Sequence, residues 1–174
     1  MAKYISVPII NEFITFVEND SDYEDNVKAM LSGTLSYCFP AVMGYGLAPK
    51  QNRDNSYPVF IFYRLQHRFP GDWGVVDHAL IEAKRSSNSL QESIDQLTNA
   101  LEGSNTEHGR CWAILEIGVN ISFYEYCHHF PVNRRLLPWC PPGQSTNSFR
   151  IRHDNEIIDW IFNPMRQNNE SPAR

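Results

Sequence analysis

Apolar positions along the chain fall into two periods, one helical and one extended, and their alternation sets the expected fold. Val7, Ile10, Phe13, Ile14 and Val17 recur at three- and four-residue intervals, which predicts a helix over residues 7–19 with Ser6 as its cap. A second stripe, Val27, Met30, Leu31, Leu35 and Cys38, predicts another helix, capped by Ser21 or Asp22 and closed by Phe39-Pro40. Residues 40–56, with Pro40, Gly44, Gly46, Pro49 and a polar run from Gln51 to Ser56, read as a loop. Pro58 to Leu65 is aromatic and β-branched almost throughout, the mark of a strand covered on both faces. After a turn at Phe69-Pro70-Gly71, Asp72–Val76 and Ala79–Arg85 are expected to pair as a hairpin turning at Asp77-His78.

Ser87 or Asn88 then caps a helix carrying Leu90, Ile94, Leu97 and Leu101, which ends at Gly103-Ser104-Asn105. Cys111–Ile117 reads as a buried strand and Asn120–Cys127 as its neighbour through Gly118; residues 131–143 are proline-rich and irregular. A short strand at Phe149–Arg152 and a helix from near Asp154 complete the chain, with residues 168–174 as a frayed end. The order predicts an α/β fold, a central mixed β-sheet flanked by helices. One domain is expected over residues 1–174, its core at about 22–127 and a C-terminal extension at 128–174.

Composition changes this picture little. The 174 residues are 42% hydrophobic and 20% charged, with a net charge of −5, which argues against a broadly basic nucleic-acid binder but not against local basic surfaces such as Arg64/His67/Arg68 or Lys84-Arg85. No apolar leader or membrane-length run is present, so an intracellular protein, cytoplasmic or nuclear, with no membrane association is expected; oligomeric state is left open. Cys38, Cys111, Cys127 and Cys140 are widely spaced and read as free thiols.

Chemistry concentrates in Pro70-Gly-Asp-Trp-Gly-Val-Val-Asp-His-Ala-Leu-Ile-Glu-Ala-Lys-Arg85. Glu82 and Lys84 share a strand face because side chains alternate. In the short hairpin, Glu82 lies beside Trp73 and Asp72 is diagonal to it, so two carboxylates and an ammonium converge. Such a group suits metal-assisted phosphodiester hydrolysis: Asp72 and Glu82, with the Ala83 carbonyl, supply hard oxygens for Mg²⁺ or Mn²⁺, and Lys84 orients a water or neutralises phosphate charge. Two rival placements of the first acid stay open. Asp77 is the ligand if residues 74–85 form one strand with a bulge, since positions five apart otherwise face opposite sides. Asp54 is the ligand if residues 57–66 pair with 75–84.

The Asp72-x9-Glu82-x-Lys84 pattern resembles the signature of the PD-(D/E)XK nuclease superfamily, the restriction-endonuclease-like fold. The resemblance implies an α-β-β-β-α-β core with the Asp on the second strand and Glu-x-Lys on the third. It also implies a Gln in the following helix, for which Gln96 stands, and sometimes an acid from the first helix, for which Glu24 stands. Pro70-Gly71-Asp72 departs from a strict Pro-Asp by one glycine, and Ala100 replaces the Tyr that often follows the Gln. The function implied is a metal-dependent nuclease, a magnesium-using hydrolase acting on DNA or, second, RNA. The alternative is a catalytically inactive domain of that fold that binds a protein partner. Zinc ligation by Cys127, His128, His129 and Cys140, or by His108 and Cys111, fits no common module spacing.

Overall fold

The computed structural model describes residues 3–49, 60–66 and 74–168. Helix α1 (Pro8–Asn19) starts with proline in its first turn, where no amide donor is missed, and Val7 rather than Ser6 occupies the cap position. Ser6 instead donates its hydroxyl to Lys3 O within a preceding 3-10 turn. Helix α2 (Glu24–Cys38) begins two residues beyond Asp22, with Tyr23 at its cap position. Asp22 is drawn away to the chain that follows the third strand.

The sheet is open, mixed and seven-stranded, with β1 (Tyr45–Pro49), β2 (Phe60–Gln66), β3 (Gly74–Lys84), β4 (Arg110–Ile117), β5 (Asn120–Cys127) and β6 (Leu136–Pro138) in spatial order, and β7 (Ser148–Arg150) beside β6 along β5. All neighbours are antiparallel except β3 and β4, which run parallel. A parallel pair needs a crossover, and helix α3 (Leu90–Glu102) supplies it. Ser89 caps α3, accepting from Glu92 N at 3.4 Å; Ser87 and Asn88 precede that cap. Helix α4 (Asn155–Gln167) is the last described element.

Three of these strands differ from the sequence expectation; one is β6, which lies within the stretch 131–143 expected to be irregular and forms by pairing with Tyr124–Tyr126 of β5. Tyr45–Pro49, expected as loop, is the edge strand β1: Gly46 and Pro49 weaken its local signal, but Tyr45 is buried and Pro49 sits at the strand end on a sheet edge, where its missing donor costs little. Residues 74–84 form one strand, so the hairpin turning at Asp77-His78 is not the arrangement adopted. Its partner is β2, with Phe60 opposite Ile81 and Gln66 opposite Gly74. Three strands do precede α3, but they are β1, β2 and an unbroken β3.

Both sheet faces are covered. Ile14, Leu31 and Phe162, from α1, α2 and α4, bury one face together with Ala79, Ile81, Ala83 and Trp112. On the other face Leu97, Ala100 and Leu101 of α3 pack on Leu80, Ala113 and Leu115. α4 joins the same core as α1 and α2, and β6 and β7 extend the sheet, so the elements between Leu136 and Gln167 are integrated with the rest. No described helix is long and apolar enough to cross a membrane.

Candidate functional site

β3 lies between β2 and β4 in the middle of the sheet, and its alternation decides which side chains meet. Ala79, Ile81 and Ala83 enter the core beneath α1, α2 and α4. Glu82 and Lys84, one residue out of phase with them, take the α3 side, in register with Leu115 and Ile117 of β4. Glu82 is only 2% exposed, and Lys84 Nζ lies 2.8 Å from its Oε1. A buried carboxylate without a cation is costly, and the ammonium two residues on offsets that cost. Lys84 is at the strand terminus with its side chain 15% exposed, so the pair reaches the protein surface at the C-terminal end of β3.

The first acid is placed differently by each candidate. Asp72 lies outside the described residues; Gly74, two positions after it, is at the far end of β3, eight residues from Glu82. Asp77 lies within β3, and the register against β2 shifts there: Phe62 faces Ala79 while Tyr63 faces Asp77, leaving His78 as the extra residue of a β-bulge. His78 consequently turns toward Phe39 and Tyr45 on the α2 side, with ring centroids 6.0 and 5.2 Å away. Asp77 shares the α3 side with Glu82. It is nonetheless roughly 13–16 Å along the strand from Glu82, too far to share one ion. Its carboxylate instead accepts from Asn105 N at 2.7 Å, while its own N–H donates to Asn105 O at 2.9 Å, latching the loop between α3 and β4. Asp54 also lies outside the described residues.

Of the remaining expected site residues, Ala83 is fully buried and holds the backbone between Glu82 and Lys84. Gln96 is exposed, at the edge of the buried stripe of Ser93, Leu97, Ala100 and Leu101 and about 100° round α3 from Leu97. Glu24 is at the N-terminus of α2, where Lys28 contacts it at 2.5 Å. Its carboxyl is held below the ordinary value, first by the hydrogen bond from Lys28, against the opposing effect of burial, and then by the lesser contributions of the Lys28, Lys84 and Arg85 charges. Glu24 thus senses the cationic end of β3.

Sequence reading passed over Glu116, which sits inside the apolar run of β4 and faces the helix-covered core in register with Ala83. It is fully buried, neither carboxylate oxygen has a hydrogen-bond partner among the described residues, and burial raises its pKa well above the ordinary value, so it is held as the neutral acid. The signal was present: strand alternation places position 116 on the same face as Trp112 and Ile114. The four cysteines are free, and burial pushes the Cys38 thiol up to about 12. Among the described residues no three His, Cys, Asp or Glu side chains come together to hold a metal. Glu82 can offer one hard oxygen; a cation here also needs the Ala83 carbonyl, water and a carboxylate from outside the described residues. No family model, curated protein or solved structure matches the chain.

Proposed function

We propose that the chain is a metal-dependent nuclease of the PD-(D/E)XK kind, cleaving phosphodiester bonds of DNA in preference to RNA at the C-terminal end of β3. One observation carries this reading: a buried Glu-x-Lys pair on the third strand of an antiparallel meander that continues through a helix into a parallel fourth strand. That element order, from α2 to β4, is the order the resemblance implies. The second carboxylate comes from Asp54 or Asp72, both outside the described residues.

In this reading Glu82 and the Ala83 carbonyl would hold Mg²⁺ or Mn²⁺ together with Asp72 or Asp54. The bound ion supplies Lewis-acid polarisation of the phosphate and a more acidic water. Lys84, already hydrogen-bonded to Glu82, donates to the attacking water or to a non-bridging phosphate oxygen, where charge builds in the transition state. The walls of α3 and the apolar sheet limit water around the pair and strengthen its electrostatics. Gln96, on the exposed flank of α3, is proposed as a substrate contact rather than a metal ligand.

Incubating the full chain with single-stranded and duplex DNA and Mg²⁺ or Mn²⁺ tests the proposal. Cleavage that EDTA stops and that Glu82→Gln and Lys84→Gln each abolish is the expected result. A wild-type chain that leaves both substrates intact but still captures a protein partner favours the non-catalytic alternative.

A further inference from the structure

The connection leaving β3 is fastened to the turn between α1 and α2. Ser86 N donates to Ser21 O and Ser21 Oγ to Ser86 Oγ, both at 2.9 Å. Ser86 Oγ and Ser87 N donate to Asp22 Oδ1 at 2.8 and 3.2 Å. Between the two segments opens a cleft of about 310 Å³ lined by Asp22, Tyr23, Glu24, Asp25, Arg85 and Asn88. It begins one residue beyond Lys84.

Two side chains of this cleft are available to a ligand. Tyr23 is 54% exposed, an aromatic ring facing solvent at the start of α2. Arg85 is exposed; its carbonyl accepts from Asn88 N at 3.1 Å, and its guanidinium, whose charge acts on Asp22 and Glu24, has no hydrogen bond or ion pair of its own among the described residues. The acids around them are engaged: Asp22 by the serines, and Glu24 and Asp25 by Lys28 at 2.5 and 4.0 Å. Asn88 adds an amide to the same wall.

We infer that Tyr23 and Arg85 form a subsite for one unpaired nucleotide flanking the scissile phosphate, the base stacking on the Tyr23 ring and its phosphate pairing with the Arg85 guanidinium. This rests on the nuclease reading for its place beside Lys84. A flat ring and a planar cation fixed on a hydrogen-bonded frame are what sequence-tolerant single-strand binding uses. A base in a duplex has both faces stacked and cannot lie on Tyr23, so the subsite selects single-stranded over double-stranded substrate.

The test is fluorescence anisotropy with a fluorescein-labelled single-stranded DNA of about twelve nucleotides, the full chain carrying Glu82→Gln, and Ca²⁺ present. Tyr23→Ala and Arg85→Ala should each weaken binding about 5- to 100-fold, while Tyr23→Trp retains it. Arg85→Ala should also flatten the dependence of log K on log salt by about 0.7. The same sequence as duplex should bind more weakly than the single strand, and an RNA strand should follow the same variant pattern. Binding unchanged in both alanine variants, equal affinity for duplex, or no binding by the parent overturns the inference. Binding with this pattern, together with a wild-type chain that never cleaves with Mg²⁺ or Mn²⁺, would instead sink the nuclease reading and leave the subsite standing.

Discussion

Asp77 and Glu82 project from the same side of β3 although five residues separate them, because the extra residue His78 reverses the alternation between them. A straight strand would have sent Asp77 beneath α2. The bulge instead frees Asp77 to hold Asn105 and sends the His78 ring among Phe39 and Tyr45. A shared face is not a shared site, since the two carboxylates are several strand residues apart.

Asp77→Ala should therefore damage stability and spare chemistry. Removing the carboxylate leaves the Asn105 amide unpaired in a region where Asp77 is 2% exposed, a loss of about 2 kcal/mol. A thermal melt should show a midpoint lower by about 5 °C, with metal-dependent cleavage by the folded protein retained. Lost cleavage with an unchanged melt would contradict the latch role.

The acid that completes the site is decided by a series of asparagine substitutions. One of Asp54→Asn and Asp72→Asn should abolish metal-dependent cleavage, and the other should leave it within about threefold of wild type, a barrier change under about 1 kcal/mol. Initial rates with a labelled oligonucleotide check this, and cleavage retained in both variants would contradict a site completed by either acid.

Much of the fold was legible because periodicity speaks directly for buried elements. The stripes of α1 and α2, the capped α3, and β4 and β5 are where the apolar residues placed them. What failed was local. β1 is short, bears glycine and proline, and owes its strand state to pairing with β2, which no window of sequence contains. The break placed at Asp77-His78 mistook polar residues inside a strand for a turn; the long-range register to β2 and the Asn105 latch override that preference. Glu82 and Lys84 were legible because period two is a local rule. The acid expected to join them, Asp72 or its rival Asp54, lies outside the described residues.

Glu116 gives a pH signature. Its folded-state pKa is raised by burial, so the carboxyl is neutral in the fold and ionises in the unfolded chain above an ordinary value near 4.5. A raised value means the stabilising contribution is complete below that point and is lost as pH climbs toward the folded-state pKa. Glu116→Met should remove this loss and the unpaired polar oxygens, raising stability at neutral pH by about 1–3 kcal/mol. Chemical denaturation across pH checks it; parallel curves for the two proteins would contradict it.

Gly118 ties the β4–β5 turn to the frame around Tyr23 and Arg85. Its φ of +58° is left-handed, and an added Cβ would lie 3.1 Å from Ser86 Cβ and 3.4 Å from Ser21 Cβ. Gly118→Ala should cost about 1–2 kcal/mol from backbone strain. It should also weaken single-stranded DNA binding by shifting the Ser21–Ser86 contact. Denaturation and anisotropy on the same preparation check both effects; an alanine variant as stable as wild type would contradict the close approach.

The most direct measurement is the initial rate of Mn²⁺-dependent cleavage of single-stranded DNA by wild type, Glu82→Gln and Lys84→Gln, each shown folded by its melt. The buried Glu82–Lys84 pair as catalytic centre requires cleavage by wild type alone, with losses of at least about 10²-fold in both variants. Variants that cut at the wild-type rate, with EDTA still abolishing the activity, would place the chemistry elsewhere in the chain.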